Sequence, residues 1–285
     1  MKDSLFIAFQ HLVPQHLLSR LAGWLANTSI SWIKDPFTRW FVQRYGIDMS
    51  EAAESDPLAY ASFNDFFTRA LRDGARPICS DDDGVVFPAD GAISQLGDIR
   101  HGRIFQAKGQ DYSLLELVGG DPLLAEPFEG GKFAVVYLSP RDYHRVHIPL
   151  DGTLRTMVHV PGDLFSVNDT TAANVPRLFA RNERVVCIFD TAAGPMAVIL
   201  VGAMIVASIE TVWAGQVTPY KRQIATTHYP DQGPEAFAKG DEIGRFKLGS
   251  TAIVLFGDDA VAWDEALTAG SATRMGELMG RVTTH

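Results

Sequence analysis

From Pro77 onward the chain reads as short apolar runs punctuated by Gly, Pro and Asp, and this excludes most folds. Val85–Phe87, Phe133–Leu138, Arg155–Val160, Arg184–Phe189, Met196–Val206 and Ala252–Phe256 are rich in β-branched and aromatic residues, which suit a pleated, packed surface. Only Asp111–Leu117 and Ala260–Met279 carry a helical pattern in this part, so a doubly wound parallel sheet is not expected. Spacing is irregular and no repeat is visible. Ahead of Pro77, Ser62 or Asn64 can cap a short helix that ends near Gly74 and Pro77. Helices first and strands after give the α+β class: N-terminal amphipathic helices followed by a mostly antiparallel β core. No break in composition marks a linker, so the expected division is residues 1–76, helical, and 77–285, one β-rich body.

The first fifty residues differ in kind. No Lys, Arg, Asp or Glu falls between Asp3 and Arg20, nor from Leu21 to Ile33. Neither stretch reaches the ~18–20 apolar residues that span a bilayer, and Pro14 interrupts the first. A signal peptide fits poorly, with Asp3 at its start and His11 and His16 inside it. Leu5, Phe9, Leu12, then Leu17, Leu21, Trp24 and Leu25, recur at helical spacing. Three of the five tryptophans (Trp24, Trp32, Trp40) lie here beside Phe37, Phe41 and Tyr45, and indole rings favour a headgroup boundary. Two or three amphipathic helices on a membrane surface account for this pattern. Helices packed on the protein's own core, or at a dimer contact, account for it equally well.

Charge narrows the partners. The formal net charge is −9, unlike that of a general nucleic-acid binder, so none is expected. Residues 1–50 hold five Lys/Arg against three Asp/Glu, while the rest holds 20 against 31. A mildly basic, apolar end on an acidic body suits an anionic membrane surface. Cys79 and Cys187 are too few for a disulfide framework and lack metal-ligand spacing, which favours a reducing compartment.

Three places carry candidate chemistry. Gly249-Ser250 precedes the apolar run Ala252–Phe256, and a turn entering a buried strand is its plain reading. The alternative is an acyl shift, in which Ser250 Oγ attacks the unhindered Gly249 carbonyl and elimination leaves a pyruvoyl group on residue 250. Serine needs a base for this, oriented by a carboxylate. Asp90 lies at a Pro88-Ala89-Asp90-Gly91 turn, where an Asx-turn role is equally natural. His144 and His147 lie in a loop bracketed by Pro140 and Pro149. Their spacing resembles a metal pair, but no third ligand is evident, so no metal is expected.

Taken together, the motifs resemble the bacterial phosphatidylserine decarboxylase proenzymes. The likeness is carried by Phe66-Phe67-Thr68-Arg69 with Gly74-Ala75-Arg76-Pro77, by Pro88-Ala89-Asp90-Gly91 and by Lys108-Gly109 with Tyr112-Ser113-Leu114. It continues through Tyr137–Pro140, Asp142–Pro149, Pro161–Asn168, Leu178–Arg184 and Leu248-Gly249-Ser250-Thr251, in that order. Phe87 departs from it, since the family usually has serine there. The resemblance implies a self-processing triad of Asp90, His147 and Ser250, in which His147 deprotonates Ser250 and Asp90 holds the imidazole. It implies cleavage between Gly249 and Ser250 into a large chain and a small one that begins with a covalent pyruvoyl cofactor. His144 takes a part in substrate handling or proton transfer. The implied reaction is decarboxylation of phosphatidylserine to phosphatidylethanolamine, with the pyruvoyl ketone capturing the substrate amine. A homodimer and a peripheral place on the cytoplasmic face of the cell membrane are also implied, with residues 1–76 associating with the membrane and 77–285 catalytic.

Three other readings compete. A serine hydrolase could use Asp90, His147 and Ser250, but Ser250 lacks a G-x-S-x-G elbow. A pyruvoyl decarboxylase of a soluble amino acid leaves the N-terminus unexplained, and a lipid-binding protein without activity leaves the later motifs so.

Overall fold

Side-chain alternation along the apolar runs decides the architecture. The computed structural model describes residues 15–106, 109–204, 208–218, 223–229, 235–247 and 250–283. Its main sheet runs β12 (Ala225–His228), β7 (Gly152–Val160), β8 (Arg184–Thr191), β9 (Gly194–Gly202), β15 (Ser250–Phe256), β5 (Lys132–Leu138), β2 (Gly91–Asp98) and β17 (Ala272–Thr273), with β13 (Ala236–Phe237) also paired to β7. A second sheet has the order β11 (Gly215–Gln216), β10 (Ser208–Thr211), β14 (Glu242–Lys247) and β6 (Arg145–His147). Smaller sheets join β1 (Gly84–Val86), β18 (Leu278–Val282) and β16 (Val261–Trp263), and pair β3 (Arg103–Phe105) with β4 (Asp111–Ser113). Every pairing among these strands is antiparallel. The α+β reading therefore holds.

β15 lies centrally between β9 and β5, and all seven of its residues are buried. Ala252, Val254 and Phe256 face a core shared with Val146, Ile209 and Phe246 of the second sheet. Ile253 and Leu255 face the opposite core, which is closed by Tyr112, Leu117 and Leu178. A strand covered on both faces has no polar side to alternate, hence its unbroken apolar run. Each such side chain contributes roughly 1.5–3 kcal/mol of burial.

Two expectations need correction. Ala260–Met279 is not helical: it contains β16, β17 and the start of β18. Gly270 and Gly276 adopt φ of 90° and 86°, which no helix accommodates, and the apolar spacing serves strand pairing instead. Asp111–Leu117 is helical only over Leu114–Leu117, one turn capped by Ser113 after the strand β4. The strand β2 went unanticipated because Ser94, Gln95 and Gly97 break its apolar pattern. Of the expected run Met196–Val206, β9 ends at Gly202, and Val206 lies outside the described residues.

The helical part comprises Gln15–Ala26, Ser31–Tyr45 and Phe63–Phe67; Leu5, Phe9 and Leu12 lie outside the described residues. Ser31–Tyr45 stops at Gly46, in the left-handed conformation, whose N–H donates to the Val42 carbonyl. Ser62 caps Phe63–Phe67, its Oγ accepting from the Asp65 N–H at 3.1 Å. That helix ends at Phe67 rather than near Gly74. Phe41, Phe63, Phe66 and Phe67 form a separate apolar cluster with Ala26 and Ile47. The Lys34 ammonium fixes the next loop by donating to the Leu58 and Tyr60 carbonyls at 2.7 and 2.6 Å. Trp24 and Trp32 remain 71% and 78% exposed, so these helices bury one side and present aromatics on the other. Among the described residues no helix is long and apolar enough to cross a membrane.

Candidate active site

Ser250 opens β15, with Leu138 and Gly202 opposite it on the neighbouring strands. It is completely buried, and its Oγ has no hydrogen-bond partner. A buried hydroxyl with no partner among the described residues costs stability of about 1–3 kcal/mol, and the adjacent Thr251 Oγ1 is buried and unpartnered in the same way. Gly249, the other half of the expected cleavage site, lies outside the described residues.

The two histidines flank the strand that leads to Ser250. β6 pairs with β14, so that His147 lies opposite Glu242 at its start. The Phe246 N–H donates to the His144 carbonyl at 3.1 Å, near the end of β14, where the chain continues toward Ser250. Their rings are held differently. His147 Nδ1 donates to the Gly240 carbonyl at 2.7 Å, leaving Nε2 as the acceptor for the Tyr143 hydroxyl at 3.1 Å. His144 Nδ1 donates to the Asp142 carbonyl at 2.8 Å, and its Nε2 is buried with no partner. The Phe67 ring covers the His144 imidazole with centroids 4.0 Å apart.

Burial sets the protonation of both rings. It pulls His144 down to about 3, with the Asp142 carbonyl opposing the shift and the Arg69 charge adding to it. His147 is also lowered, chiefly by burial and against the Gly240 hydrogen bond and the charge of Glu242. Burial raises the Tyr143 phenol, which stays protonated as the donor to His147. At neutral pH both imidazoles are neutral: the His144 Nε2 lone pair has no partner among the described residues, and that of His147 accepts from the Tyr143 hydroxyl. That is the state of a general base.

Asp90 is placed by the turn that begins β2. A Cβ at Gly91 would lie 2.1 Å from the Tyr137 carbonyl oxygen, so only glycine permits β2 to approach β5 this closely. The Pro88 carbonyl accepts from the His147 N–H at 2.8 Å, which ties the turn to β6. The Asp90 carboxylate itself accepts from Arg76 Nε at 3.0 and 3.1 Å and from the Met275 N–H at 2.9 Å. It acts on His147 through its charge and not through a hydrogen bond. The fold thus brings Asp90, His144 and His147 around one loop, without the direct Asp90–His147 contact expected of a triad.

Four further groups belong to this site. Arg76 holds Asp90 and is itself held by Glu51 at 2.7 Å; Phe67 covers His144; Tyr143 bonds His147; and the Gly240 carbonyl fixes the His147 tautomer. Phe67, Arg76 and Tyr143 stand inside recognisable motifs, but a backbone carbonyl 93 residues from its histidine leaves no sequence signal. Among the described residues no group of three His, Cys, Asp or Glu side chains is gathered to hold a metal ion.

The family model described as phosphatidylserine decarboxylase matches residues 63–281, which includes every residue of this site, and one described as PSD matches 5–46. The chain belongs to the phosphatidylserine decarboxylase family. A Pseudomonas fluorescens protein named phosphatidylserine decarboxylase proenzyme is 65% identical over 98% of both chains. Proteins of the same name from Pseudomonas entomophila and Pseudomonas putida are each 65% identical, again over 98% of both chains. The site has a definite asymmetry: one histidine with both nitrogens engaged, and one whose Nε2 has no partner among the described residues.

Proposed function

We propose that the chain is a proenzyme that cuts itself between Gly249 and Ser250 and then converts phosphatidylserine to phosphatidylethanolamine. The reading is supported by a buried Ser250 hydroxyl without a partner among the described residues, in a chain that also buries two neutral imidazoles and is 65% identical to named proenzymes. Ser250 Oγ bonds the Gly249 carbonyl carbon as the amide C–N bond breaks, the hydroxyl proton passing by way of an imidazole to the departing nitrogen, which remains on residue 250 as an amine. Loss of the residue 250 α-proton expels the Gly249 carboxylate, and water converts the resulting enamine to a ketone with release of ammonia. His147 is the base for the first step once its Nε2 exchanges the Tyr143 hydroxyl for that of Ser250, with its tautomer held by Gly240 and its ring biased by the Asp90 charge. His144, whose Nε2 lone pair has no partner among the described residues, takes up the proton that the substrate ammonium sheds and returns it to the substrate carbon after carbon dioxide leaves.

A pyruvoyl group at residue 250 fits this surrounding, because the hydroxyl it replaces has no partner to lose. Such a group supplies an electrophilic ketone for the substrate amine and a sink for the electrons left by decarboxylation. The chain's own residues supply orientation and exclusion of water, through Phe67 above His144 and the apolar faces around β15.

The substrate's acyl chains have a matching place. Phe63, Phe67, Pro140 and Met204 join residues of the two long helices around an apolar cavity of about 530 Å³. With Trp24 and Trp32 outside it, the helical part serves as a peripheral contact with an anionic membrane surface, and the enzyme acts there as a homodimer. Carbon dioxide release from carboxyl-labelled phosphatidylserine in mixed micelles tests the function. Steady release is expected; none from correctly folded, cleaved protein overturns it.

A further inference from the structure

The segment from Phe63 to Arg69 joins two unlike cavities. Phe63 and Phe67 line the apolar one, together with Pro140. Two residues further on, Arg69 lines a polar pocket of about 180 Å³, together with Arg141, Asp142, Tyr143 and Asp90. The same two chain segments therefore give hydrocarbon walls on one side and, on the other, a charged pocket lined by Arg69, Arg76 and Arg141 together with Asp48, Glu51, Asp90 and Asp142. His144 follows Tyr143 in the chain, packs under Phe67 and lies within the field of the Arg69 charge.

Arg69 is only 5% exposed, and its Nε and Nη1 have no acceptor among the described residues. Nη2 reaches the Arg141 carbonyl at a long 3.4 Å. The carboxylates nearby are already engaged. Asp48 accepts from the Ser50 N–H, Glu51 from Arg76 and Arg274, Asp90 from Arg76 and the Met275 N–H, and Asp142 from the Ser139 N–H. Arg76 is consumed by its own carboxylates, and Arg141 is largely exposed. A buried guanidinium left with unused donors beside an amphiphile-shaped space calls for an anionic oxygen from outside the chain.

We propose that Arg69 recognises the phosphodiester of the phospholipid substrate, seating the headgroup where the apolar cavity meets the polar pocket beside His144. This rests on the decarboxylase reading and adds a specificity-determining residue to it. The substrate carries two anions, and energetics favour the phosphodiester as the one held. A cation on the carboxylate stabilises the ground state most and the charge-losing transition state least, which slows carbon dioxide loss. A cation on the phosphodiester binds both states alike and positions the serine portion. Its planar fork suits two phosphate oxygens, where lysine offers a point charge.

The test uses cleaved enzyme, verified by intact mass, and phosphatidylserine in mixed micelles. Arg69→Gln raises KM about ten-fold or more with kcat changed by less than about three-fold, and Arg69→Lys recovers part of the loss. Inorganic phosphate, with ionic strength held by chloride, inhibits the wild type competitively and inhibits Arg69→Gln no more than chloride does. Free serine, which has the carboxylate but no phosphate, competes poorly with both. An unchanged KM, a loss confined to kcat, or phosphate inhibition that persists in Arg69→Gln overturns the assignment. If Arg69→Gln fails to fold or cut, the wild type decides alone: no competition by phosphate refutes the proposal. Absence of decarboxylation by cleaved wild type would instead refute the underlying function.

Discussion

The central sheet and the helical part handle apolar residues in opposite ways. Every residue of β15 is buried, and both faces of the sheet are covered. The helices bury Phe41, Phe63, Phe66 and Phe67 but leave Trp24, Trp32 and Trp40 facing outward. One region hides the Ser250 hydroxyl from water; the other leaves apolar surface uncovered. His144 is where they meet, since its ring belongs to the sheet side and its cover, Phe67, to the helices. Lipid chemistry needs both, a dry reaction centre and a route by which an amphiphile reaches it.

The largest effect is expected within the sheet. Ser250→Ala removes the hydroxyl proposed to start the cut, so the 31.2 kDa chain is expected to stay whole and to release no carbon dioxide. A cut Ser250→Ala chain would break the assignment of Ser250. Next come the histidines. His147→Ala slows cleavage by about 10²-fold or more, whereas His144→Ala cuts but loses about 10²–10⁴ of its decarboxylation rate. Time courses of cleavage and of carbon dioxide release on the same preparations separate the two roles; the reverse pattern exchanges them.

Much of this was legible in the sequence, for identifiable reasons. β5, β7, β8, β9 and β15 announce themselves because strands buried on both faces need unbroken apolar runs. β2 and the strands after Gly257 do not, because half-exposed and edge strands tolerate Ser, Gln and Gly. The site residues were nameable through their motifs, but their bonding was not. Nothing at Asp90 says that Arg76 and the Met275 N–H hold it, since those contacts depend on the three-dimensional path of distant segments. Motif membership is also no guide to role. Arg184 stands in the motif Leu178–Arg184, yet it donates to the carbonyls of Leu117, Ala180 and Asn182 and serves as scaffold.

The boundary between the regions gives two smaller tests. Phe67→Ala removes a buried ring from the helical cluster and costs about 3–5 kcal/mol, read from denaturant unfolding. It also uncovers His144, whose pKa climbs from about 3 toward its ordinary 6.5. Because the folded value is the depressed one, the unfolded chain binds more protons between these limits. Stability from this group is therefore complete above about 6.5 and is lost as pH falls toward 3, at up to about 1.4 kcal/mol per pH unit. His144→Phe, compared with wild type across that range, should flatten the acid slope; an identical slope would mean that the buried ring does not titrate as described. The smallest effect lies outside. Trp24→Ser with Trp32→Ser leaves unfolding within about 0.5 kcal/mol but lowers flotation with anionic vesicles several-fold. Equal flotation would leave those indoles without a membrane role.

The intact mass of the purified, active wild-type protein tests the central claim most directly. Two chains are predicted, the smaller spanning residues 250–285, blocked at its amino end and carrying a ketone that reacts with a hydrazide. A single uncut chain of 31.2 kDa that nevertheless decarboxylates phosphatidylserine would contradict it.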